Sequence, residues 1–174
     1  MLRKILAVTA ATFAFAQAAQ AKEYYVGGPA YKDSMEIVTN YLLGVEMDPI
    51  PPNMPMGPDA IHLEVDLHAT ANNPWGYDDQ SWIPYVTISY VLTKEGTDWM
   101  AKGKLLPMSA NDGPHYADSL KMDGSGKYTV VYTFGPPSVN GFYRHTDKAT
   151  GIPPWWAPFT ETFSFTYPSG ASIP

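Results

Sequence analysis

The strongest constraint on the fold is the strict alternation of apolar and polar residues in "IHLEVDLHA", residues 61–69. Its odd positions are all apolar, and its even positions are His62, Glu64, Asp66 and His68. Because successive side chains of a β-strand point to opposite faces, this pattern predicts a strand with one face in a core. The other face then carries two of the four histidines of the chain.

Further short segments have the same β-strand character: residues 84–94, residues 127–134 after a "DGSG" turn, and residues 160–167. Residues 35–47 fit a long strand or a short helix. We favour the strand, because a Thr-Asn pair interrupts the segment and nothing caps a helix. The 17 prolines and 14 glycines lie mostly between these segments, so the chain is predicted to form an antiparallel β-sandwich.

The N-terminal segment, residues 1–21, has the features of a secretory signal peptide. It has two basic residues near its start, Arg3 and Lys4, continues as an apolar run and ends in the small-residue motif "AQA". A first helix of the fold and a membrane anchor are the alternatives, but the apolar run is shorter than the ~20 residues that span a bilayer. We therefore predict export with cleavage after Ala21, leaving residues 22–174 as one domain.

Charge and cysteine content limit the partners and the metal ligands. The chain has 17 acidic and 11 basic residues, and loss of the leader would bring the formal net charge from −6 to −8. This charge argues against nucleic acid and anionic lipid as partners, and it is compatible with cations. Since there is no cysteine, thiolate metal sites are excluded, and only His, Met and carboxylates are available as ligands.

The polar face of residues 61–69 offers metal ligands, and no motif for a catalytic nucleophile or a phosphate loop accompanies it. Residues i and i+2 of a strand stand about 6.6–6.8 Å apart on one face, so His62 and Glu64 can lean onto one ion. His68 lies about 20 Å along the strand from His62 and cannot share that ion. We expect Asp66 and His68 to lie beside the site or on the surface. An ordinary solvated face without any ligand is the alternative.

The remaining candidate ligands come from two other segments. "LPMSANDGPHYAD" brings Met108 and His115 together across a loop, and "GFYRHTD" supplies His145. One thioether, up to three imidazoles and one carboxylate suit copper, because Met sulfur prefers Cu(I) while imidazole and carboxylate accept Cu(II). The residue types therefore point to a copper site more clearly than their spacing does.

Segments throughout the predicted mature chain resemble the periplasmic high-affinity iron transport protein family of bacteria. Members of this family are small exported proteins encoded with an iron permease. The similar segments are "KEYYVGGPAYKDSMEI", "VEMDP", "IHLEVDLHATANNPWG", "WIPYVTISYVL", "LPMSANDGPHYAD", "GFYRHTDKATG" and "WWAPF". The combination of the third, fifth and sixth segments is the most specific part of the resemblance.

The resemblance implies an all-β, antiparallel immunoglobulin-like β-sandwich that forms homodimers in the periplasm. It implies a copper site made of His62, Glu64, Met108, His115 and His145. It also implies iron as the cargo or second metal, and an inner-membrane iron permease as the partner. The protein would then be a transport component and not an enzyme, although a copper-linked redox reaction of iron stays open.

The sequence also allows a second metal site and other functions. Glu23 and Glu46 are candidates for a weaker carboxylate site that binds a hard cation such as ferrous or manganous ion. A copper chaperone or copper-resistance protein and a small copper oxidoreductase would use the same ligands. A carbohydrate-binding module would instead use four tryptophans: Trp75, Trp82, Trp155 and Trp156.

Overall fold

A computed structural model describes residues 22–168, and the predicted leader lies outside this range. The described chain contains eight β-strands and a short 3-10 helix, Pro137–Asn140, between the last two strands. The strands are β1 (Glu23–Lys32), β2 (Met35–Leu43), β3 (Ala60–Ala69), β4 (Thr87–Lys94), β5 (Met100–Ala110), β6 (Gly113–Lys121), β7 (Gly126–Gly135) and β8 (Phe159–Tyr167). Within residues 22–168, no helix has the length and apolar character needed to cross a bilayer.

The strands follow the order β1-β2-β3-β6-β5-β4-β7-β8, and every neighbouring pair is antiparallel. Strand β5 belongs to both layers, because its first half pairs with β4 and its second half, from Leu106 onward, pairs with β6. The outer strands β1 and β8 also contact each other. The predicted antiparallel, immunoglobulin-like β-sandwich is therefore confirmed, in a form that is nearly closed.

Most strands lie where the alternation predicts them, and the ambiguous segment at residues 35–47 is a strand over Met35–Leu43. Strands β1, β5 and β6 were not predicted. Strand β5 contains Gly103 and Pro107 and has a single buried residue, so it lacks an apolar face. Strand β1 contains a Gly-Gly-Pro sequence and shifts its register on either side of Gly27, which weakens its pattern. Strand β6 places polar residues at buried positions, so its sequence lacks the expected alternation.

The core lies between the two layers and takes the apolar face of β3. This face consists of four side chains without exposed surface: Ile61, Leu63, Val65 and Leu67. The even-numbered residues of β3 therefore point to the opposite face of the sheet. The segment after β2 and the turn between β5 and β6 line a cavity over that face, and four of the five candidate ligands lie in it.

Candidate metal site

Three buried polar side chains converge on one point. His62 and Glu64 come from β3 and His115 comes from β6, and their ligand atoms all lie within 4.8 Å of one another. Their exposed fractions are 3%, 5% and 6%. The backbone carbonyl of Glu64 accepts a hydrogen bond of 2.7 Å from the buried Thr39 hydroxyl, which holds this part of β3 in place. One ion can reach three donor atoms at this spacing.

The β5–β6 hairpin positions His115 and a thioether side by side. Ala110 pairs with Gly113 across a two-residue turn, and this register sets Met108 directly opposite His115. Side chains that are directly opposite lie on the same face of the sheet, with Cβ atoms about 4.5–5.5 Å apart. Met108 lines the same cavity as His62, Glu64 and His115. The structure therefore brings four of the five predicted ligands together.

The cavity has a volume of about 380 Å³ and contains several acidic side chains. Glu23 and Glu46, the candidates for a weaker carboxylate site, both line it, as does Asp112 from the β5–β6 turn. The two glutamates are thus part of the wall of the same cavity. Any hard cation that they bind would lie close to the histidines.

Each histidine of the cluster has one ring nitrogen in a hydrogen bond to the protein. Nδ1 of His62 lies 3.1 Å from the Ser119 hydroxyl. The ring of His115 donates to the backbone of Gly113. Its Nε2 is buried without a hydrogen-bond partner and lies 3.6 Å from Oε2 of Glu64. A buried nitrogen without a partner is costly, and an added ligand or ion would satisfy it.

Burial determines the protonation states of the cluster. It lowers the pKa of His62 to about 4, with a further contribution from His115, and it also lowers the pKa of His115. Burial raises the pKa of Glu64 to about 8, assisted by nearby carboxylates. At neutral pH both imidazoles are therefore neutral, which is the form that binds metals, and the carboxyl group of Glu64 holds a proton that a cation would displace.

Three further carboxyl groups surround Glu64 and influence one another. Burial raises the pKa of Glu23. Repulsion from Asp112 and a hydrogen bond between the two carboxyl groups raise this pKa further. Burial and Asp112 raise the pKa of Asp66 to about 6. The Asn40 amide donates to Glu23 over 3.3 Å. So many carboxyl groups in one place favour a cation, which would relieve their repulsion.

Two histidines lie outside the cluster: His145, which was predicted to be a ligand, and His68, which was not. His145 is in the exposed segment after the 3-10 helix, where its Nδ1 is 2.8 Å from the Thr150 hydroxyl and where it lines a different cavity with Trp155. A single chain therefore does not bring His145 to the cluster. His68 forms a β-bridge with Trp82 and lines a third cavity, as its offset along β3 leads one to expect.

Two residues of the site were missed in the sequence. Asp112 lies in the turn between the two predicted ligands Met108 and His115, so the hairpin itself could have indicated it. Ser119 stands four residues after His115 on the same face of β6, and the i, i+4 spacing of a strand was the available signal.

The tryptophans pack on one another. Trp75 and Trp156 are only 8% and 7% exposed, and their ring centroids lie 4.9 Å apart. Trp155 contacts Trp75 at 6.2 Å, while Trp82 lies 5.1 Å from Tyr116. This packing stabilises the sandwich and its loops, and it buries most of the ring surface of Trp75 and Trp156.

Sequence comparisons agree with one another. The sequence model of a family described as Fe²⁺ transport protein matches residues 20–169. A UPF0423 protein of Brucella abortus (strain 2308) is 42% identical over 159 residues, which cover 90% of this chain and 87% of the relative. The 34 kDa membrane antigen of Treponema pallidum (strain Nichols) is 36% identical over 115 residues, which cover 64% of this chain and 56% of the relative.

Solved structures with the same fold include two copper-bound proteins. A copper-bound glutamate-to-glutamine variant of FetP from uropathogenic Escherichia coli strain F11 has a TM-score of 0.81 and 41% identity, covering 84% of this chain and 98% of that protein. Copper-reconstituted P19 from Campylobacter jejuni has a TM-score of 0.79 and 36% identity, covering 87% and 98% respectively. The likeness thus extends over nearly the whole of both structures.

Proposed function

Because the chain belongs to the Fe²⁺ transport protein family, we propose that it is a periplasmic copper- and iron-binding protein that supports high-affinity ferrous iron uptake. Its partner is an inner-membrane iron permease. The observation that carries the metal-binding part is the buried cluster of His62, Glu64 and His115, whose ligand atoms lie within 4.8 Å of one another. The iron-uptake part is supported by the family.

Copper is the resident ion that this donor set fits best. His62 and His115 offer neutral imidazoles, Met108 offers a thioether on the same cavity wall, and Glu64 offers a carboxylate. The thioether stabilises Cu(I), and the imidazoles and carboxylate accept Cu(II), so the site tolerates both oxidation states. Copper held here would supply a one-electron redox couple. The β3–β6 pairing and the β5–β6 hairpin would hold the donor atoms in place.

Ferrous ion is the proposed cargo, and the carboxylates of the same cavity are its proposed ligands. Fe²⁺ binds carboxylates and imidazoles, whereas it gains less from a thioether. Glu23, Glu46 and Asp112 line the cavity beside Glu64, and the net charge of the chain is −6. A divalent cation that enters would replace protons and relieve repulsion among these groups.

A homodimer is proposed because it would give His145 access to the site. This histidine is exposed and lies outside the cavity of its own chain. It could therefore act as a ligand only in the cavity of a second protomer. Exposed aromatic residues near it support a contact surface, since Tyr143 is 91% and Tyr85 52% exposed.

Export to the periplasm is proposed from the leader sequence, and the expression of a related protein in the periplasm supports it. A recombinant FetP whose structure is known was expressed in the periplasm of E. coli. We expect a mature protein that begins at Lys22. The intact mass of protein from a periplasmic fraction tests this, and a mature species that still contains Phe13 and Phe15 would contradict it.

Growth of a deletion strain tests the proposed function. The strain should grow poorly when iron is chelated, and the wild-type protein should restore growth. His115→Ala should fail to restore growth, whereas the matched control His68→Ala should succeed because His68 lies outside the cluster. Normal growth without iron, together with new sensitivity to copper, would contradict the proposal. That result would indicate a copper chaperone or copper-resistance protein, which the donor set also fits.

A further inference from the structure

The two histidines of the cluster are oriented by different kinds of partner. His115 donates to the backbone of Gly113 in its own strand, and this contact comes with the hairpin. His62 depends on a side chain from another strand, because its Nδ1 lies 3.1 Å from the hydroxyl of Ser119. The orientation of His62 is therefore set by a residue that a point substitution can remove.

Ser119 is a polar residue in a strongly buried place. It is 5% exposed and stands directly opposite His62 in the β3–β6 register. Its buried neighbours on β6 are Tyr116, Ala117 and Leu120. A small apolar residue such as alanine would fit this position without the cost of burying a hydroxyl group. Buried hydroxyl groups are normally hydrogen-bonded, and His62 provides the partner here.

We propose that Ser119 is a positioning residue for His62. A hydroxyl can donate or accept at 3.1 Å; in this proposal it accepts the hydrogen bond of Nδ1–H, and Nε2 keeps a free lone pair for an ion. A neutral imidazole carries one N–H, at Nδ1 or at Nε2. If Nε2 carried the proton instead, His62 would have no lone pair to offer at that nitrogen. Partners of this kind fix both the tautomer and the ring orientation of metal-binding histidines.

The metal-binding consequence rests on the proposed copper function, whereas the tautomer is a property of the metal-free protein. Ser119→Ala removes the acceptor, and Ser119→Thr restores a hydroxyl with one added methyl group. Ser109→Ala is the matched control, because Ser109 lines the same cavity from the exposed side of β5. Thermal unfolding of the three metal-free variants checks that each one folds.

Two measurements decide the role of Ser119. Long-range ¹H–¹⁵N NMR of the metal-free protein should show His62 protonated at Nδ1 in the wild type, Ser119→Thr and Ser109→Ala. Ser119→Ala should show a mixture of tautomers. Competition titration with a copper chelator should show a roughly 10- to 100-fold weaker Cu(II) affinity for Ser119→Ala, and an affinity near that of the wild type for the other two.

An unchanged Nδ1–H signal and an unchanged Cu(II) affinity in Ser119→Ala would overturn the inference. A folded Ser119→Thr that behaves like Ser119→Ala would also overturn it, because the hydroxyl would then be irrelevant. A wild-type protein that binds no copper would instead refute the proposed function. In that case the NMR signal of the metal-free protein still decides whether Ser119 sets the tautomer.

Discussion

The two halves of strand β3 have the same chemistry and different surroundings. His62 and Glu64 are followed by Asp66 and His68 on the same face, so the two halves have a histidine and a carboxylate each. The first pair is almost fully buried, and the second is half-buried. The β3–β6 ladder ends at Val65, so only the first pair lies within it.

This difference shows that neighbouring strands decide which part of a polar face becomes a candidate metal site. Strand β6 brings His115 and Ser119 to the first pair, and the β5–β6 hairpin adds Met108. His68 instead meets Trp82 and lines a separate cavity. A histidine and a carboxylate on one strand are therefore candidates for ligands only where other donors converge on them.

The largest predicted effect is on copper affinity, and it distinguishes the buried half of β3 from the half-buried one. His115→Ala should weaken copper binding by more than about 100-fold, because it removes a ligand and not only a supporting partner. His68→Ala should leave copper binding unchanged. Chelator competition on both purified variants measures the difference. A loss of affinity in His68→Ala and none in His115→Ala would reverse the assignment of the two halves.

The next effect tests whether the thioether belongs to the buried half. Met108→Leu keeps the apolar volume and removes sulfur, so the Cu(I) affinity should fall by roughly 10-fold or more and the Cu(II) affinity should fall less. Met100→Leu, at the exposed start of β5, is the control. Titrations with Cu(I) and Cu(II) probes compare the two. Equal losses for both oxidation states would argue against sulfur ligation.

A smaller effect concerns pH and the buried carboxyl group. Glu64 has an ordinary pKa of 4.5 that rises to about 8 in the folded protein. Between pH 6.5 and 8 the native state therefore binds more protons than the unfolded chain, and the free energy of unfolding of the metal-free protein should fall by roughly 1–2 kcal/mol. His62 has the opposite effect on the free energy of unfolding, because its pKa is lowered from 6.5 to about 4 in the folded protein. Its contribution rises with pH between about 4 and 6.5, below the range in which Glu64 acts.

Urea unfolding at pH 6.5 and 8 measures this slope. Glu64→Gln should abolish most of it, because glutamine does not titrate. Glu95→Gln, at an exposed position in the turn after β4, should keep it. If Glu64→Gln retains the wild-type slope, then another group is responsible and Glu64 is already ionised at neutral pH.

The smallest effect tests whether a second protomer completes the buried half. His145→Ala should weaken Cu(II) binding by a few-fold only where the protein is dimeric, because His145 does not reach the cavity of its own chain. Affinity and sedimentation measured over a range of protein concentrations give the comparison. An equal effect of His145→Ala on a monomer would contradict binding from a second protomer.

The sequence predicted the fold better than the boundaries of the site. Alternation located β3, and the residue types of Met108 and His115 indicated their pairing before the hairpin register was known. Strands β1, β5 and β6 escaped detection, because glycine and proline break the pattern of the first two and buried polar residues disturb that of the third. Ser119 was missed because its importance depends on a partner 57 positions away in the chain.

The location of His145 could not be predicted for a related reason. Its segment follows the 3-10 helix and has no alternation that would assign it to a face of the sheet. Sequence composition places it among copper-compatible residues, but only tertiary structure shows that it lies apart from the cluster. Local patterns predict faces of strands, whereas loop positions depend on packing that local patterns do not encode.

X-ray absorption spectroscopy of the copper-loaded protein identifies the atoms that bind the ion. We expect imidazole nitrogen and one sulfur in the coordination of Cu(I), with the sulfur signal lost in Met108→Leu and retained in Met100→Leu. The imidazole signal should weaken in His115→Ala and stay the same in His68→Ala. Copper coordination without sulfur in the wild type, or a spectrum that changes only in His68→Ala, would contradict a copper site in the buried half of β3.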